Sequence, residues 1–323
     1  MTSPSFVDLV DLVSERMGGA AVAANDEFFA PKEGLIRPGP PVWREGEYTE
    51  RGKWMDGWET RRLRGPRSDD HDWCILRLGV PGLVRGVDVD TAYFTGNFPE
   101  ACAIDACDLA GLPAVDQLAG APWRVLLPRT VLMGDSHNLI AIDSALRATH
   151  LRLRIFPDGG VARLRAYGDA VVDWERLRRR GDVDLAAAAH GGVVAACSDM
   201  FYGSRHNLIM PGDATHMGDG WETKRRRGPG HDWTVIRLGA PGSVRRIDVD
   251  TRHFKGNAPA TCSLEGSTDN ATWRELLPAT ALQPDARHEF EDEVRAIGDV
   301  SHVRFNIFPD GGVGRLRLYG RPR

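Results

Sequence analysis

The segment HDWCILRLGVPGLVRGVDVDTAYFTGN, from His71 to Asn97, occurs a second time as HDWTVIRLGAPGSVRRIDVDTRHFKGN, from His231 to Asn257. Aligned without gaps, 17 of the 27 positions are identical, at an offset of 231 − 71 = 160 residues. Solenoid repeats are much shorter, at roughly 20–50 residues. We therefore interpret the repeat as a tandem duplication of a whole domain.

The repeat extends in both directions from this segment. Upstream, DGWET at Asp56–Thr60 recurs 163 residues later, so the first copy holds three extra residues near Ser68–Asp70. Downstream, FPDGGV at Phe156–Val161 recurs 152 residues later. The predicted organisation is a first module over 1–172, a linker over 173–185 and a second module over 186–323.

Within each copy the hydrophobic pattern is typical of strands. Trp73–Leu78 and Val84–Asp90 are short and β-branched, and Pro81-Gly82 separates them as a predicted turn. In HLRLRIF, at His150–Phe156, apolar residues alternate with arginines, so one face is buried and the other is wet. Antiparallel sheets of this kind pack in pairs, which predicts an all-β tandem of sandwiches. Short helices are expected only at the module entrances, Phe6–Met17 and Leu185–Ala189.

Composition excludes several other classes. Hydrophobic residues make up 42% and charged residues 27%, which argues against a disordered chain, and the net charge of −4 does not favour nucleic acid as a partner. Five cysteines without CxxC spacing indicate neither a disulfide framework nor a structural zinc site. There is no secretory signal pattern and no apolar stretch of the ~18 residues that span a bilayer. We therefore predict a cytoplasmic protein without a membrane partner.

Several long motifs resemble those of the allantoicases. They are FVDLVDLVSERMGGAAVAANDEFFAPKEGLI at Phe6–Ile36, WMDGWETRRLR at Trp54–Arg64, HDWCILRLG at His71–Gly79, and the paired IFPDGGVARLR and IFPDGGVGRLR. The resemblance implies two jelly-roll modules of the galactose-binding or discoidin type, a homo-oligomer, and hydrolysis of allantoate to ureidoglycolate and urea. Gly34 departs from the family pattern, which has Asn there, as the second copy does at Asn207.

The implied reaction needs a cation for the substrate carboxylate, acceptors for the ureido N–H groups, and a general acid and base. The predicted catalytic side chains, acids and histidines at repeated positions, are Glu59, Glu222, His71, His231, Asp26 and Asp199. The predicted substrate-binding side chains, cationic or imidazole, are Arg61, Arg62, Lys224, Lys32, Arg205 and His206. A structural role for each histidine at a strand entrance is an equal alternative. Trp58 and Trp221 are interpreted as core residues.

Other interpretations stay open at this point. No cofactor follows from the sequence, although a divalent metal such as Mn²⁺ could activate water, with His206, His216 and Asp219 as candidate ligands. Asn97 and Asn257 are interpreted as turn residues.

The alternative function is a non-catalytic tandem binder of carbohydrate or another small ligand. Aromatic loops would favour this function, whereas the repeated loops here carry Glu, Arg, His and Asp. The site lies in each module or in a cleft between them.

Overall fold

A computed structural model describes residues 5–64 and 70–323, which form two compact units, the first module (Ser5–Val171) and the second module (Val172–Arg323). The predicted three-residue insertion near Ser68–Asp70 lies mostly outside the described residues. In the described parts of the chain, no helix combines the length and apolar character that crossing a bilayer requires.

Strands dominate both modules. In the described first module, strands β1–β12 are Val10–Asp11, Ala20–Ala24, Tyr48–Thr49, Gly52–Lys53, Trp58–Glu59, Asp72–Asp90, Ala101–Cys107, Arg124–Val131, His137–Ala141, Arg147–Phe156, Gly160–Val161 and Arg163–Ala170. In the second module, strands β13–β22 are Val183–Asp184, Val193–Cys197, Trp221–Glu222, Asp232–Asp250, Thr261–Ser267, Arg274–Ala281, Arg287–Phe290, Val300–Phe308, Gly312–Val313 and Arg315–Pro322. The helices are short: α1 is Val115–Ala119, α2 is Trp174–Arg178, and 3₁₀ turns are Phe6–Asp8, Glu15–Met17, Lys32–Ile36, Ala188–His190, Arg205–Ile209 and Met217–Asp219. The predicted all-β tandem fold is confirmed.

Strand β6 organises the first module. Its first part pairs with β2 and β10, and its second part pairs with β9 and β12, all antiparallel. The predicted turn at Pro81-Gly82 is therefore wrong, because the strand continues through it for 19 residues. Glycine allows the strand to pass close to a neighbouring segment here, because a Cβ on Gly79 would lie 2.1 Å from the carbonyl oxygen of Met17. Strand β16 repeats the arrangement over 19 residues of the second module.

The core follows the predicted alternation. Leu151, Leu153 and Ile155 of β10 are fully buried, while the arginines between them are partly exposed. Trp58 and Trp221 are also fully buried, which confirms their interpretation as core residues.

The module entrances differ from the expectation of helices. Phe6–Asp8 and Glu15–Met17 are single 3₁₀ turns on either side of β1, which pairs with β12. The Asp11 carboxylate competes with helix formation by accepting hydrogen bonds from the backbone N–H groups of Val13 and Ala166. In the segment predicted as a linker, α2 is followed by β13, which pairs with β22 of the second module.

Candidate active site

A cavity of about 760 Å³ opens in the first module. Its lining combines aromatic rings, two cations, two carboxylates and an amide: Phe29, Trp43, Lys53, Met55, Glu59, Arg62, Tyr93, Thr95, Gly96, Asn97 and Asp135. A concave site with a few converging polar groups is the usual form of a small-molecule site.

Glu59 lies in this cavity because of its place in a two-stranded ribbon. Strand β5 pairs with β11, so that Glu59 lies opposite Gly160 and Trp58 opposite Val161. Neighbouring strand residues point to opposite faces, and Trp58 takes the buried face, where its Nε1 donates to the carbonyl oxygen of Asp26 at 2.8 Å. The Glu59 side chain is thereby directed toward the cavity, although the residue is only 7% exposed.

The side chain that bonds to the Glu59 carboxyl in the described part of the chain is neutral. Asn97 Nδ2 donates a hydrogen bond to Glu59 Oε1 at 2.7 Å. Burial raises the pKa of the Glu59 carboxyl, and the Asn97 hydrogen bond lowers it in part. A carboxyl group with a raised pKa retains its proton nearer neutral pH, as a general acid requires.

Aromatic rings and cations line another part of the cavity. The Lys53 ammonium lies 3.9 Å from the centroid of the Trp43 ring, and the Trp43 and Tyr93 rings are 5.7 Å apart. Arg62 is the second cation in the lining, and Asp135 accepts a hydrogen bond from the backbone N–H of Tyr93 at 2.7 Å. The expectation of ionic, non-aromatic loops is therefore wrong for this site, because three aromatic side chains share its lining with the charges.

A buried ion pair supports the segment that carries Trp43 and Lys53. Arg163 Nη2 and Nη1 lie 2.7 and 3.1 Å from the two oxygens of Asp56, and both side chains are almost fully buried. Asp56 also accepts the backbone N–H of Val42 at 2.9 Å, which fixes the start of the segment. Burial alone would raise the pKa of Asp56, but the hydrogen bonds from Arg163 and Val42 and the charges of Arg163 and Arg37 together hold it below its ordinary value.

Two of the predicted catalytic acids hold turns instead of lining the cavity. Asp26 accepts the backbone N–H of Phe28 and both the N–H and Nε of Arg61. In the second module Asp199 accepts the N–H of Phe201 and of Lys224 in the same way. Both carboxylates therefore stabilise local turns, and the Arg61 side chain is held by the same contacts.

The predicted histidines pack on phenylalanines. The His71 ring lies 5.3 Å from Phe156, and its Nδ1 is 3.0 Å from Asp70 Oδ1. His231 stacks on Phe308 at 4.5 Å. Neither histidine belongs to the lining of the cavity, and the arrangement favours the structural alternative.

Most other predicted cations engage neighbours away from the cavity. Lys32 Nζ lies 3.3 Å from Glu27 Oε2 and 2.9 Å from Glu33 Oε1. In the second module, Arg205 contacts Cys197, whose pKa burial raises and Arg205 lowers in part, and Lys224 Nζ lies 3.7 Å from Asp199. Among the predicted residues, Glu59 and Arg62 are the ones that the cavity brings together.

The candidate metal ligands do not converge. Within residues 5–64 and 70–323, no three His, Cys, Asp or Glu side chains form a group that fits a metal ion. Asp219 Oδ2 instead lies 3.0 Å from Arg315 Nη2 and accepts the Thr215 N–H. The other two candidate ligands are His206, whose backbone N–H donates to Ser204 Oγ, and His216, which is exposed. Neither forms such a group with Asp219. The set therefore does not fit a divalent metal.

Gly34, the departure from the family pattern, lies in tight contact with the site loop. A Cβ at this position would lie 2.3 Å from the carbonyl oxygen of Gly57. In the second module the matching Asn207 donates from Nδ2 to the carbonyl oxygen of Gly220 at 2.9 Å. The Asn207 side chain thus occupies space in the second module that the close contact between the Gly34 and Gly57 backbones occupies in the first.

Gly34→Ala is expected to lower the free energy of unfolding by about 1–3 kcal/mol, because the backbone must move to admit the methyl group. Denaturant titration of the full chain measures the change. Gly39→Ala is the matched control, since a Cβ on Gly39 would meet no other atom within 4 Å. Equal effects of the two substitutions would contradict the tight contact.

Sequence reasoning missed several members of the site. The pattern favours a turn role for Asn97, although the presence of this residue in both copies, as Asn97 and Asn257, is a usable signal. Asn257 Nδ2 donates to Glu222 Oε1 at 2.6 Å, so the pair at Glu59 is repeated in the second module. Trp43, Lys53 and Tyr93 give no comparable signal, because their partners are distant in sequence.

Comparison with known proteins gives a consistent result. The family model described as the allantoicase repeat matches residues 10–171 and 183–323. A probable allantoicase of Pseudomonas paraeruginosa is 50% identical over 329 residues, covering 98% of this chain and 97% of the relative. One from Photobacterium profundum is 46% identical, again covering 98% and 97%.

The fold agrees with a solved structure. The crystal structure of allantoicase from Saccharomyces cerevisiae superposes with a TM-score of 0.83 at 36% identity, covering 96% of this chain and 92% of that one. A second allantoicase structure gives a TM-score of 0.84 at 35% identity. Both copies of the repeat and nearly the whole length are matched, and the chain therefore belongs to the allantoicase family.

Proposed function

We propose that this chain hydrolyses allantoate to ureidoglycolate and urea, and that the reaction takes place in the cavity of the first module. The observation that carries the site is Glu59, a buried carboxyl with a raised pKa that faces a cavity also lined by Lys53 and Arg62. The full-length relationship to allantoicases supports the substrate.

The lining matches the groups of allantoate. Its carboxylate pairs with the Lys53 ammonium or the Arg62 guanidinium, which are charge-assisted donors. Its two ureido groups donate N–H bonds, for which the Asp135 carboxylate is an acceptor. The planar ureido groups lie against the Trp43 and Tyr93 rings.

Glu59 acts first as acid and then as base. The protonated carboxyl gives its proton to the nitrogen of one ureido group, and the bond from this nitrogen to the central carbon breaks, so that its electron pair leaves with urea. The nitrogen lone pair of the remaining ureido group stabilises the electron-poor carbon. Water then adds through oxygen, and its proton returns to Glu59. A positioned acid or base of this kind contributes typically ~10²–10⁴-fold to the rate.

The test is urea release from allantoate by the purified chain, measured by coupling urea to ammonia production. Parallel assays with chelator and with added Mn²⁺ determine whether a metal contributes. Absence of urea in every condition, together with saturable binding of allantoate, would favour a non-catalytic binding protein. Cytoplasmic location and a homo-oligomer stay predictions, the second of which sedimentation velocity checks.

Lys53→Met is expected to raise the KM for allantoate by about tenfold or more while changing kcat less. A hydrogen bond to a charged group contributes about 1.5–3 kcal/mol, and binding of the substrate carboxylate is common to ground and transition states. Lys53→Arg should retain most of the affinity. An unchanged KM in Lys53→Met would remove this cation from the site.

A further inference from the structure

We infer that the chain has one catalytic cavity, in the first module, and that the inserted segment Trp43–Gly52 is the element that creates it and determines substrate recognition. This inference rests on the proposed function. The Glu222–Asn257 pair of the second module then has a structural role, although its hydrogen bond repeats that of Glu59 and Asn97.

Matching hydrogen bonds align the two modules residue by residue around the insertion. Asp56 Oδ2 accepts the N–H of Val42 at 2.9 Å, and Asp219 Oδ2 accepts the N–H of Thr215 at 3.1 Å. Val42 thus matches Thr215, whereas Lys53 matches His216 at the offset of Asp56 and Asp219, 219 − 56 = 163. Ten residues, 43 to 52, therefore have no counterpart in the second module.

The inserted segment is anchored on the loop that precedes the site. Arg51 Nη1 donates to the carbonyl oxygen of Phe28 at 3.2 Å, and the guanidinium lies 5.5 Å from the Phe28 ring. Gly52 lies against the ring of Phe29, which lines the cavity. Strands β3 and β4 pair within the segment and bring Trp43 and Lys53 to the cavity wall.

The second module retains the acid but has a different wall. Glu222 is half-buried, and Tyr202, which matches Phe29, is 64% exposed. His253 replaces Tyr93, and its Nε2 is within 2.9 Å of the carbonyl oxygen of Ala214.

The cations of the first-module wall also change. Lys255 replaces Thr95, and its ammonium lies 3.9 Å from Asp285, the counterpart of Asp135. At the position of Lys53 the second module has His216. Trp43 is thus absent from the second module, and Lys53 and Tyr93 are replaced there, whereas Arg62 keeps a counterpart in Arg225.

The experiment compares matched variants in the full chain. Glu222→Gln should retain kcat and KM within about twofold. Deletion of residues 43–52, which joins Val42 to Lys53 as Thr215 joins His216, should raise KM by at least about tenfold, because it removes the Trp43 ring and the strand pairing that holds Lys53 at the cavity wall. Trp43→Ala keeps the backbone intact and should raise KM in the same direction if the deletion variant does not fold. Calorimetric titration of Glu59→Gln with allantoate should give one site per chain.

Three results would overturn the inference: two equivalents of allantoate bound per chain, a loss of activity in Glu222→Gln equal to that in Glu59→Gln, or an unchanged KM in Trp43→Ala. Failure of the proposed function has a different signature, because the unmodified chain would then release no urea from allantoate. The two hypotheses are therefore separable in one set of assays.

Discussion

Glu59→Gln is expected to lower kcat for urea release from allantoate by about 10²–10⁴-fold, the typical contribution of a positioned acid or base. The amide retains an oxygen that accepts the hydrogen bond of Asn97, so the geometry of the pair is preserved while the transferable proton is lost. Steady-state kinetics measure the effect, and Glu222→Gln is the matched control from the second module.

The same substitution should leave stability unchanged or raise it at neutral pH. Burial raises the pKa of Glu59 in the folded chain, so the stability associated with its protonated form is fully present below the unfolded pKa and is lost as the pH rises through the folded pKa. Glutamine is neutral at every pH and avoids this loss. Relative to the unmodified chain, the free energy of unfolding of Glu59→Gln should therefore be higher at pH 8 than at pH 5, as measured by denaturant titration.

The pH profile of activity gives an independent check. Because the acid form of Glu59 starts the reaction, kcat/KM should fall as the pH rises through its folded pKa, and the residual activity of Glu59→Gln should lack this limb. An activity of Glu59→Gln within threefold of the unmodified chain would remove Glu59 from the mechanism.

Arg163→Met is expected to lower the free energy of unfolding of the first module by up to about 3–5 kcal/mol, the usual cost of breaking a buried ion pair. Asp56 keeps a second cation, since Arg37 Nη1 lies 3.1 Å from its Oδ1, so the loss should stay below the cost of a fully isolated carboxylate. Arg163 and Asp56 are almost fully buried and meet through two hydrogen bonds. Calorimetry of the full chain measures the shift of the transition that belongs to this module. Arg44→Met is the control, since Arg44 and Glu47 form an exposed pair, which contributes about 0–1 kcal/mol.

The Arg163→Met effect should depend on pH. The folded pKa of Asp56 is lowered, so its stabilisation is present above the unfolded pKa and is lost as the pH falls through the folded pKa. The difference between the variant and the unmodified chain should therefore be largest near neutral pH and shrink in acid. Equal effects of Arg163→Met and Arg44→Met would contradict a buried pair.

Sequence periodicity predicted the fold because strand alternation and the repeat are local or linear signals. It failed at Pro81-Gly82, where the pattern favours a turn. Proline and glycine favour turns, but the pairing of β6 with other strands along both of its parts overrides this local preference, and glycine there allows close packing instead.

The site was predicted less completely because its chemistry depends on contacts between distant segments. Glu59 and Arg62 belong to a conspicuous repeated motif, whereas Trp43 lies in a segment that the second module lacks, and Lys53, which follows that segment, is replaced there by His216. The change of offset from 173 residues at Asp26 to 163 at Asp56 marks that segment, but no linear rule says that it folds over the acid. Asp26 and His71 have the right chemical types, but local hydrogen bonds and ring packing hold them elsewhere.

Strand β6 carries hydrogen bonds to four other strands, two along its first part and two along its second. Loss of the strands along either part of β6 therefore removes hydrogen-bond partners from a strand with which the remaining strands of the sheet also pair. Amide protons at both ends of β6 should consequently exchange with solvent through one shared opening event, and protease attack on the strands along one part of β6 should expose those along the other part at the same time.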